Sequence, residues 1–403
     1  VSERNYDSLH DYYRQNNFKP TFAAFKSVEA LTAYENGRAA VFRDLLKIPL
    51  KVFDGARLCE FGPDTGENAL VFAKWGAQLT LVEPNRAAWP DIEEYFRRFD
   101  RLPRLEAMAE STVESFESDR KFDFINAEGF IYTVQPSTVW LDRIASLLAP
   151  GGLAVVNYLE VSGCLFELLW TLIYRQYHRL SGETGVDAAW SLFEPKWNSI
   201  PHTRAFASWV KDVLENPFVR LKYFIDPVTL LGLAEARGLA FYSSWPGYEA
   251  PFDPHWHKKI PDATALRQRR ADYISRSRLS FCLGKPLFFT GEADRAADLQ
   301  QSVLSVCADV DALIDRWDET KAASARRGLA RLVEAIADGA ILAGGVQRAE
   351  ATRSLQAFER AIAVMGQGSP DALRKLARED EDLMQSWGST THYIAFRHAD
   401  PGA

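Results

Sequence analysis

Between residues 56 and 159 the chain alternates short apolar runs with helical patterns, and this alternation restricts the fold more than any other feature. The runs 56–61, 79–83, 105–109, 122–127 and 153–159 have strand length, whereas 68–75, 87–98 and 138–148 carry helical spacing. Strands separated by helices must be joined by crossovers, which predicts a mostly parallel sheet flanked by helices, an α/β fold. Right-handed crossovers then bring the carboxyl ends of all these strands to one edge of the sheet, where ligands of such folds bind.

The flanking regions read differently. Residues 1–50 are amphipathic and predict an N-terminal helical lid. Residues 161–223, rich in Trp and Phe, predict a helical insert on the acceptor side after strand five. The α/β pattern resumes with a helix over 227–237, closed by Gly238, and with strands over 239–245 and 279–290. After Gly291 the composition shifts to Ala, Arg, Asp, Glu and Leu. There Leu299, Val303, Val306, Val310, Leu313 and Trp317 recur at helical steps. The expected domains are therefore 1–50, 51–292 and a separable C-terminal helical bundle over 293–403. The bundle's helices offer a surface for a homodimer.

Composition sets outer limits. Of the 403 residues 47% are hydrophobic and 25% charged, as in ordinary globular chains. No apolar run approaches the ~18–20 residues that span a bilayer, and the first residues lack the apolar core of a secretion signal, so a cytoplasmic location and no membrane span are expected. Cys59, Cys164, Cys282 and Cys307 lie far apart and read as buried thiols, with Cys59 and Cys282 on strands. Neither they nor the pair His255 and His257 has the spacing of a metal site, so no metal is expected. The formal net charge of −7 disfavours a nucleic-acid partner. A local exception is the basic stretch 255–285, which holds Lys258, Lys259, Arg267, Arg269, Arg270, Arg276, Arg278 and Lys285.

The chemistry concentrates at Glu60-x-Gly62-x-Asp64-x-Gly66. An apolar strand ends in an acid, and glycines then let the backbone pass close to a ligand and adopt positive φ. Seventeen residues after Gly66 the second strand ends in Glu83, placed to accept hydrogen bonds from ribose hydroxyls. These residues resemble the first motif and second-strand acid of the class I, Rossmann-like S-adenosylmethionine-dependent methyltransferases. Asp64 departs from that motif, replacing its usual middle glycine. The segment 122–130, Phe-Asp-Phe-Ile-Asn-Ala-Glu-Gly-Phe, is similar to the family's fourth-strand motif. Leu147-Leu-Ala-Pro-Gly-Gly152 is similar to its turn before the fifth strand.

The resemblance implies S-adenosylmethionine as cofactor. It implies a binding site drawn from Glu60, Phe61, Gly62, Pro63, Gly66, Glu83, Pro84, Asn85, Ala109, Glu110, Asn126 and Ala127. A nicotinamide-dependent oxidoreductase also pairs a glycine turn with a ribose acid. However, the glycines here do not match GxGxxG, and Asp64 would face a pyrophosphate. A non-catalytic cofactor-binding scaffold is the other alternative. Methyl transfer is an in-line displacement that depends on holding the acceptor in attack geometry, and an oxygen acceptor needs a base. Glu128, Tyr132 and His202 are the catalytic candidates, with His178 behind them. The expected reaction methylates a polar small molecule or glycan, at oxygen rather than nitrogen. The acceptor pocket is expected between the residues after strand four and the 161–223 insert, with an anionic acceptor steered by the basic stretch.

Overall fold

The computed structural model describes residues 6–16, 18–19, 27–199, 205–250, 262–337 and 340–399. The chain divides into two compact units. One comprises Val1–Tyr158, Thr229–Gly247 and His392–Ala403, and the other Leu159–Val228 and Tyr248–Thr391.

The strands are β1 (Arg57–Phe61), β2 (Gln78–Val82), β3 (Leu105–Ala109), β4 (Phe122–Ala127), β5 (Leu148–Leu159), β6 (Leu239–Trp245), β7 (Phe288–Phe289), β8 (Ile341–Leu342) and β9 (Thr391–His398). Seven of them form one sheet in the order β3-β2-β1-β4-β5-β9-β6. The pairs among β1 to β5 are parallel, and β6 pairs antiparallel with β9. The expected α/β class and mostly parallel sheet are therefore present, and helices flank it. In β1, Leu58, Cys59 and Phe61 are all buried, as a parallel strand covered on both faces demands. Chain order reverses between β1 and β4. The crevice beyond the carboxyl ends of those two strands is where the topology opens a ligand site.

Residues 28–48 form part of this core and do not stand apart as a lid. The helix Val28–Ala39 runs into a π-helical turn at Ala40–Leu45. Leu31, Phe42, Leu46 and Ile48 are buried in the same cluster as Phe53, Phe72 and Phe124. Phe42 meets Phe53 at 5.5 Å and Phe72 at 5.4 Å between centroids, edge to face. Such pairs add to the burial of their area.

In the second unit the aromatic insert and the C-terminal helices share one core. Trp170, Leu192 and Phe193 of the insert belong to the same buried cluster as Val303, Leu313, Phe358 and Met365. Phe166 lies 4.1 Å from Phe358 between centroids, and Arg220 pairs with Asp311 at 2.8 Å. The expected boundary at 292/293 consequently falls inside a folded unit. The expected strand over 279–290 is instead the helix Arg278–Leu283, closed by Gly284 at φ +60°, followed by the two-residue β7. All four cysteines are buried and unbridged, Cys59 on a strand and Cys282 on that helix. No described helix is long and apolar enough to cross a membrane.

The last strand also bears on whether the bundle can be removed without loss. β9 lies between β5 and β6, with Phe396 fully buried opposite Phe241. A chain ended at Ala293 loses that strand and more than one core helix of the second unit. It should show no cooperative urea transition. In the full chain Phe396→Ala should lower the unfolding free energy by about 3–5 kcal/mol. A cooperative transition retained by the shortened chain would contradict this account.

Candidate functional site

The turn after β1 is built by three left-handed residues. Gly62 has φ +63°, Asp64 +51° and Gly66 +88°. Asp64 thus supplies the conformation that a glycine would, which Asp tolerates better than most residues. At Gly62 the absence of a side chain has a second cause: a Cβ there would lie 2.7 Å from the ring of Phe130. The helix Glu67–Lys74 starts directly after Gly66, and the buried Glu67 accepts a hydrogen bond from the Thr65 hydroxyl.

Glu83 ties this turn to the end of β2. Asp64 N–H donates to its Oε2 at 3.1 Å and Asn85 N–H to its Oε1 at 2.7 Å. Burial pushes its carboxyl up to about 7, against these two donors. A carboxylate has about four lone-pair sites, so both oxygens retain capacity for hydroxyl donors such as those of a ribose. Pro84 and Asn85 follow, half-buried. Ala109 at the end of β3 accepts from Glu83 N–H at 3.0 Å. Glu110 lies outside this arrangement, exposed and paired with Arg86.

Glu60 and Asn126 stand opposite each other in the β1–β4 register, followed by the buried Phe61 and Ala127. Asn126 Nδ2 donates to Glu60 Oε1 at 3.1 Å, while Glu60 Oε2 and Asn126 Oδ1 are buried with no hydrogen-bond partner. Burial, with the negative charge of Glu128 beside it, pushes the Glu60 carboxyl up to about 8. Unpaired buried polar atoms are costly and call for a ligand that pairs with them. Among the described residues no group of His, Cys, Asp and Glu is placed to hold a metal ion.

Of the catalytic candidates, Glu128 is engaged by a guanidinium. Arg38 Nη1 donates to its Oε2 at 3.0 Å and Nη2 to its Oε1 at 2.5 Å, with both side chains nearly buried. Tyr132 is buried in the short turn Ile131–Thr133. His178 Nδ1 lies 3.1 Å from the Glu183 carbonyl oxygen. His202, Lys258 and Lys259 lie outside the described residues. His255 and His257 lie outside them too, and four cations of the basic stretch form ion pairs within the chain. Arg270 pairs with Glu249, Arg276 with Asp272 and Lys285 with Glu350, while Arg278 is buried against Glu160 and Asp226.

Sequence reasoning missed Arg38, Tyr34 and Tyr393. Tyr34 donates to Asn68 Oδ1 at 2.7 Å, and Tyr393 of β9 hydrogen-bonds with the Arg38–Glu128 pair. The only local signal was a charged residue on a helix that runs into apolar Phe42.

A raised carboxyl pKa has a thermodynamic consequence. Between its ordinary value and about 8 the folded chain holds a proton on Glu60 that the unfolded chain has released, so stability falls as pH rises through that window. Each pKa unit corresponds to about 1.4 kcal/mol. The ligand-free protein should lose thermal stability from about pH 5 to about pH 9, and Glu60→Gln, which keeps an acceptor for Asn126, should flatten that loss. Parallel melting curves for the two proteins across this range would show the assignment to be wrong.

Several known proteins share features with this chain. Among those of curated function none matches it. A structure assigned as a methyltransferase from Thermoplasma acidophilum is 20% identical over 26% of this chain and 44% of its own, with a TM-score of 0.23. PKMT2 from Rickettsia typhi, solved with AdoHcy, is 18% identical over 64% of this chain and 49% of its own, with a TM-score of 0.38. The chain thus spans less than half the length of either. A structure from Galdieria sulphuraria, assigned as a sarcosine dimethylglycine methyltransferase, is 12% identical over 92% of this chain and 88% of its own, with a TM-score of 0.35. A family model described as a methyltransferase domain matches residues 34–244, just over half the chain and the stretch that carries β1 to β5 and the glycine turn. The chain belongs to the class I S-adenosylmethionine-dependent methyltransferase family.

Proposed function

We propose that this chain transfers a methyl group from S-adenosylmethionine to an oxygen of a polar small molecule or glycan. The observation that carries the cofactor reading is the unpaired Glu60 Oε2 and Asn126 Oδ1 at the β1–β4 crevice, beside the glycine turn that Glu83 anchors. These groups fit an adenosyl amino acid. Glu83 has free lone pairs for ribose hydroxyls, and the two unpaired oxygens suit an ammonium. Asp64 and Glu67 around the turn would repel a pyrophosphate, which argues against a dinucleotide. They are compatible with a phosphate-free ligand that carries a sulfonium.

When bound, S-adenosylmethionine supplies an electrophilic methyl group. The protein's part is to hold donor and acceptor in line and to exclude water. Phe61, Phe130 and Tyr132, buried or half-buried around the crevice, provide apolar walls. Glu128 serves this site as the partner of Arg38, since both its oxygens already accept from the guanidinium. The net charge of −7 and the ion pairs of Arg270, Arg276 and Lys285 support an acceptor that is neither a nucleic acid nor strongly anionic.

Titration calorimetry tests the reading. S-adenosylhomocysteine should bind, NAD should not, and Glu83→Ala should weaken the first by about 1–3 kcal/mol through lost hydrogen bonds to a buried group. Tight binding of NAD with no response to S-adenosylhomocysteine would exclude it.

A further inference from the structure

In the second unit the aromatic insert buries a lysine. Lys196 of the helix Gly185–Asn198 donates to the carbonyl oxygens of Met384 at 2.8 Å and Ser386 at 3.0 Å. Two indole rings cover the same ammonium, with centroids 4.3 Å away at Trp170 and 3.6 Å away at Trp387. Lys196 and Trp170 are each 2% exposed, and cation–π contacts count for more where water is excluded. The chain itself thus supplies this cation with acceptors and π faces. Two polar atoms beside it are not so provided for. Glu167 Oε2 and Trp170 Nε1 are buried with no hydrogen-bond partner among the described residues. They belong to residues three apart on the helix Leu165–Ser181, which share a face. One is an acceptor and the other a donor.

Charge decides what fits. Burial pushes the Glu167 carboxyl up to about 7 and the Lys196 amine down to about 7, while their opposite charges resist both changes. A ligand cation would meet Lys196 and a ligand anion would meet Glu167, each at a desolvation cost. A neutral group that both donates and accepts satisfies the two open atoms together, and the simplest such group is a hydroxyl. The surroundings are aromatic. Phe193 lies 5.7 Å from Trp170 and 5.7 Å from Trp209 between centroids, edge to face in both pairs. Glu167, Trp387 and Thr390 are half-buried, so the cluster reaches the surface through them. Apolar walls with a few placed polar groups are the usual make-up of a small-molecule site. A saccharide combines hydroxyls with an apolar C–H face, which suits a polar pair set among indoles. We propose that Glu167 and Trp170 bind a hydroxyl group of a neutral saccharide, which donates to Glu167 Oε2 and accepts from Trp170 Nε1, with Trp387 against the sugar's C–H face. This rests on residues of the second unit alone and not on the cofactor reading.

The test uses the full chain and sugars that differ in charge. The methyl glycosides of glucose, galactose and mannose are neutral, glucosamine carries an ammonium and glucuronate a carboxylate. The readout is the set of indole N–H resonances of the eleven tryptophans. Trp170→Phe keeps a ring for Lys196 and removes the N–H, so the resonance missing from its spectrum belongs to Trp170. At least one neutral glycoside should shift that resonance saturably in the wild type, with glucosamine and glucuronate binding about tenfold or more weakly. Trp170→Phe should weaken the neutral glycoside about fivefold through the lost hydrogen bond. Glu167→Gln removes the repulsion of an anion and should narrow the gap between the glycoside and glucuronate to about threefold or less. Should Trp170→Phe fold poorly, calorimetry on the wild type and Glu167→Gln reads the same charge preference. A Trp170 resonance that no neutral glycoside moves overturns the proposal, because an ordered water then satisfies the two atoms. Equal binding of neutral, cationic and anionic sugars overturns it too, as does a glycoside affinity that Trp170→Phe leaves unchanged.

Discussion

A hydrogen bond between two strands, from Asn126 to the carboxyl of Glu60, sits where the sheet changes direction, and the site is organised around it. β1 and β4 are neighbours in space although two strands and two helices separate them in sequence, so the crevice beyond their ends exists because of the crossover topology. Placing a carboxyl there, sealed between buried Cys59 and Phe61, costs desolvation that one side-chain amide does not offset. The Glu60 carboxyl accordingly holds its proton to about pH 8 when no ligand is present.

The glycine turn depends on a second carboxylate. Glu83 accepts from the backbone N–H of Asp64 on one side and of Asn85 on the other, so the loops after β1 and β2 are fastened to one group. Asp64 and Asn85 need not then be held by a ligand to keep their conformation. This is how a loop that approaches a cofactor can be ordered before the cofactor arrives, lowering the entropy lost on binding. The steric requirement at Gly62, set by Phe130, adds that the segment after β4 closes over the same turn.

What was legible in the sequence was the part whose causes are local. Strands such as β1 and β4, covered on both faces, produce contiguous apolar runs; β4 and the edge strand β3 were bounded correctly, and β1 and β2 to within a residue. Glu60, Gly62, Gly66 and Glu83 form a motif because turn geometry and strand ends are written in neighbouring residues. The misreadings come from distant causes. The run around Leu279–Leu283 is too short for periodicity to separate a strand from a buried helix, and the helix prevailed. β9 pairs with β6, which lies some 150 residues earlier, so nothing near Thr391–His398 announces a strand of this sheet. Arg38 finds Glu128 90 residues away, and no local pattern marks that partnership. The boundary at 292/293 followed a real change in composition. Composition, however, records which residues suit a helix surface and not which helices share a core, and here the insert and the bundle share one.

The second unit provides an internal control for reading Glu60 as a ligand-binding group. Glu160 is as deeply buried, but its oxygens accept from Ser162 N–H, the Ser162 hydroxyl, Gly163 N–H and Arg278. Burial raises its carboxyl, and the Arg278 charge and these donors oppose that rise. Glu167 keeps an unpaired Oε2, yet the Lys196 ammonium nearby acts in favour of its charged form. At these two buried carboxylates of the second unit, a cation lies close by, joined at Glu160 by three further donors. At Glu60 the chain supplies one amide N–H, and the strongest electrostatic neighbour is Glu128, of the same sign. Arg38 favours the charged form of Glu60, yet its guanidinium is paired with Glu128. Of these three carboxylates, the one at the crevice between β1 and β4 thus has the greatest deficit of positive charge and of donors. A protein interior tolerates such a deficit when something that enters the site makes it good, and an ammonium held beside a sulfonium supplies both the charge and the N–H donors that are missing.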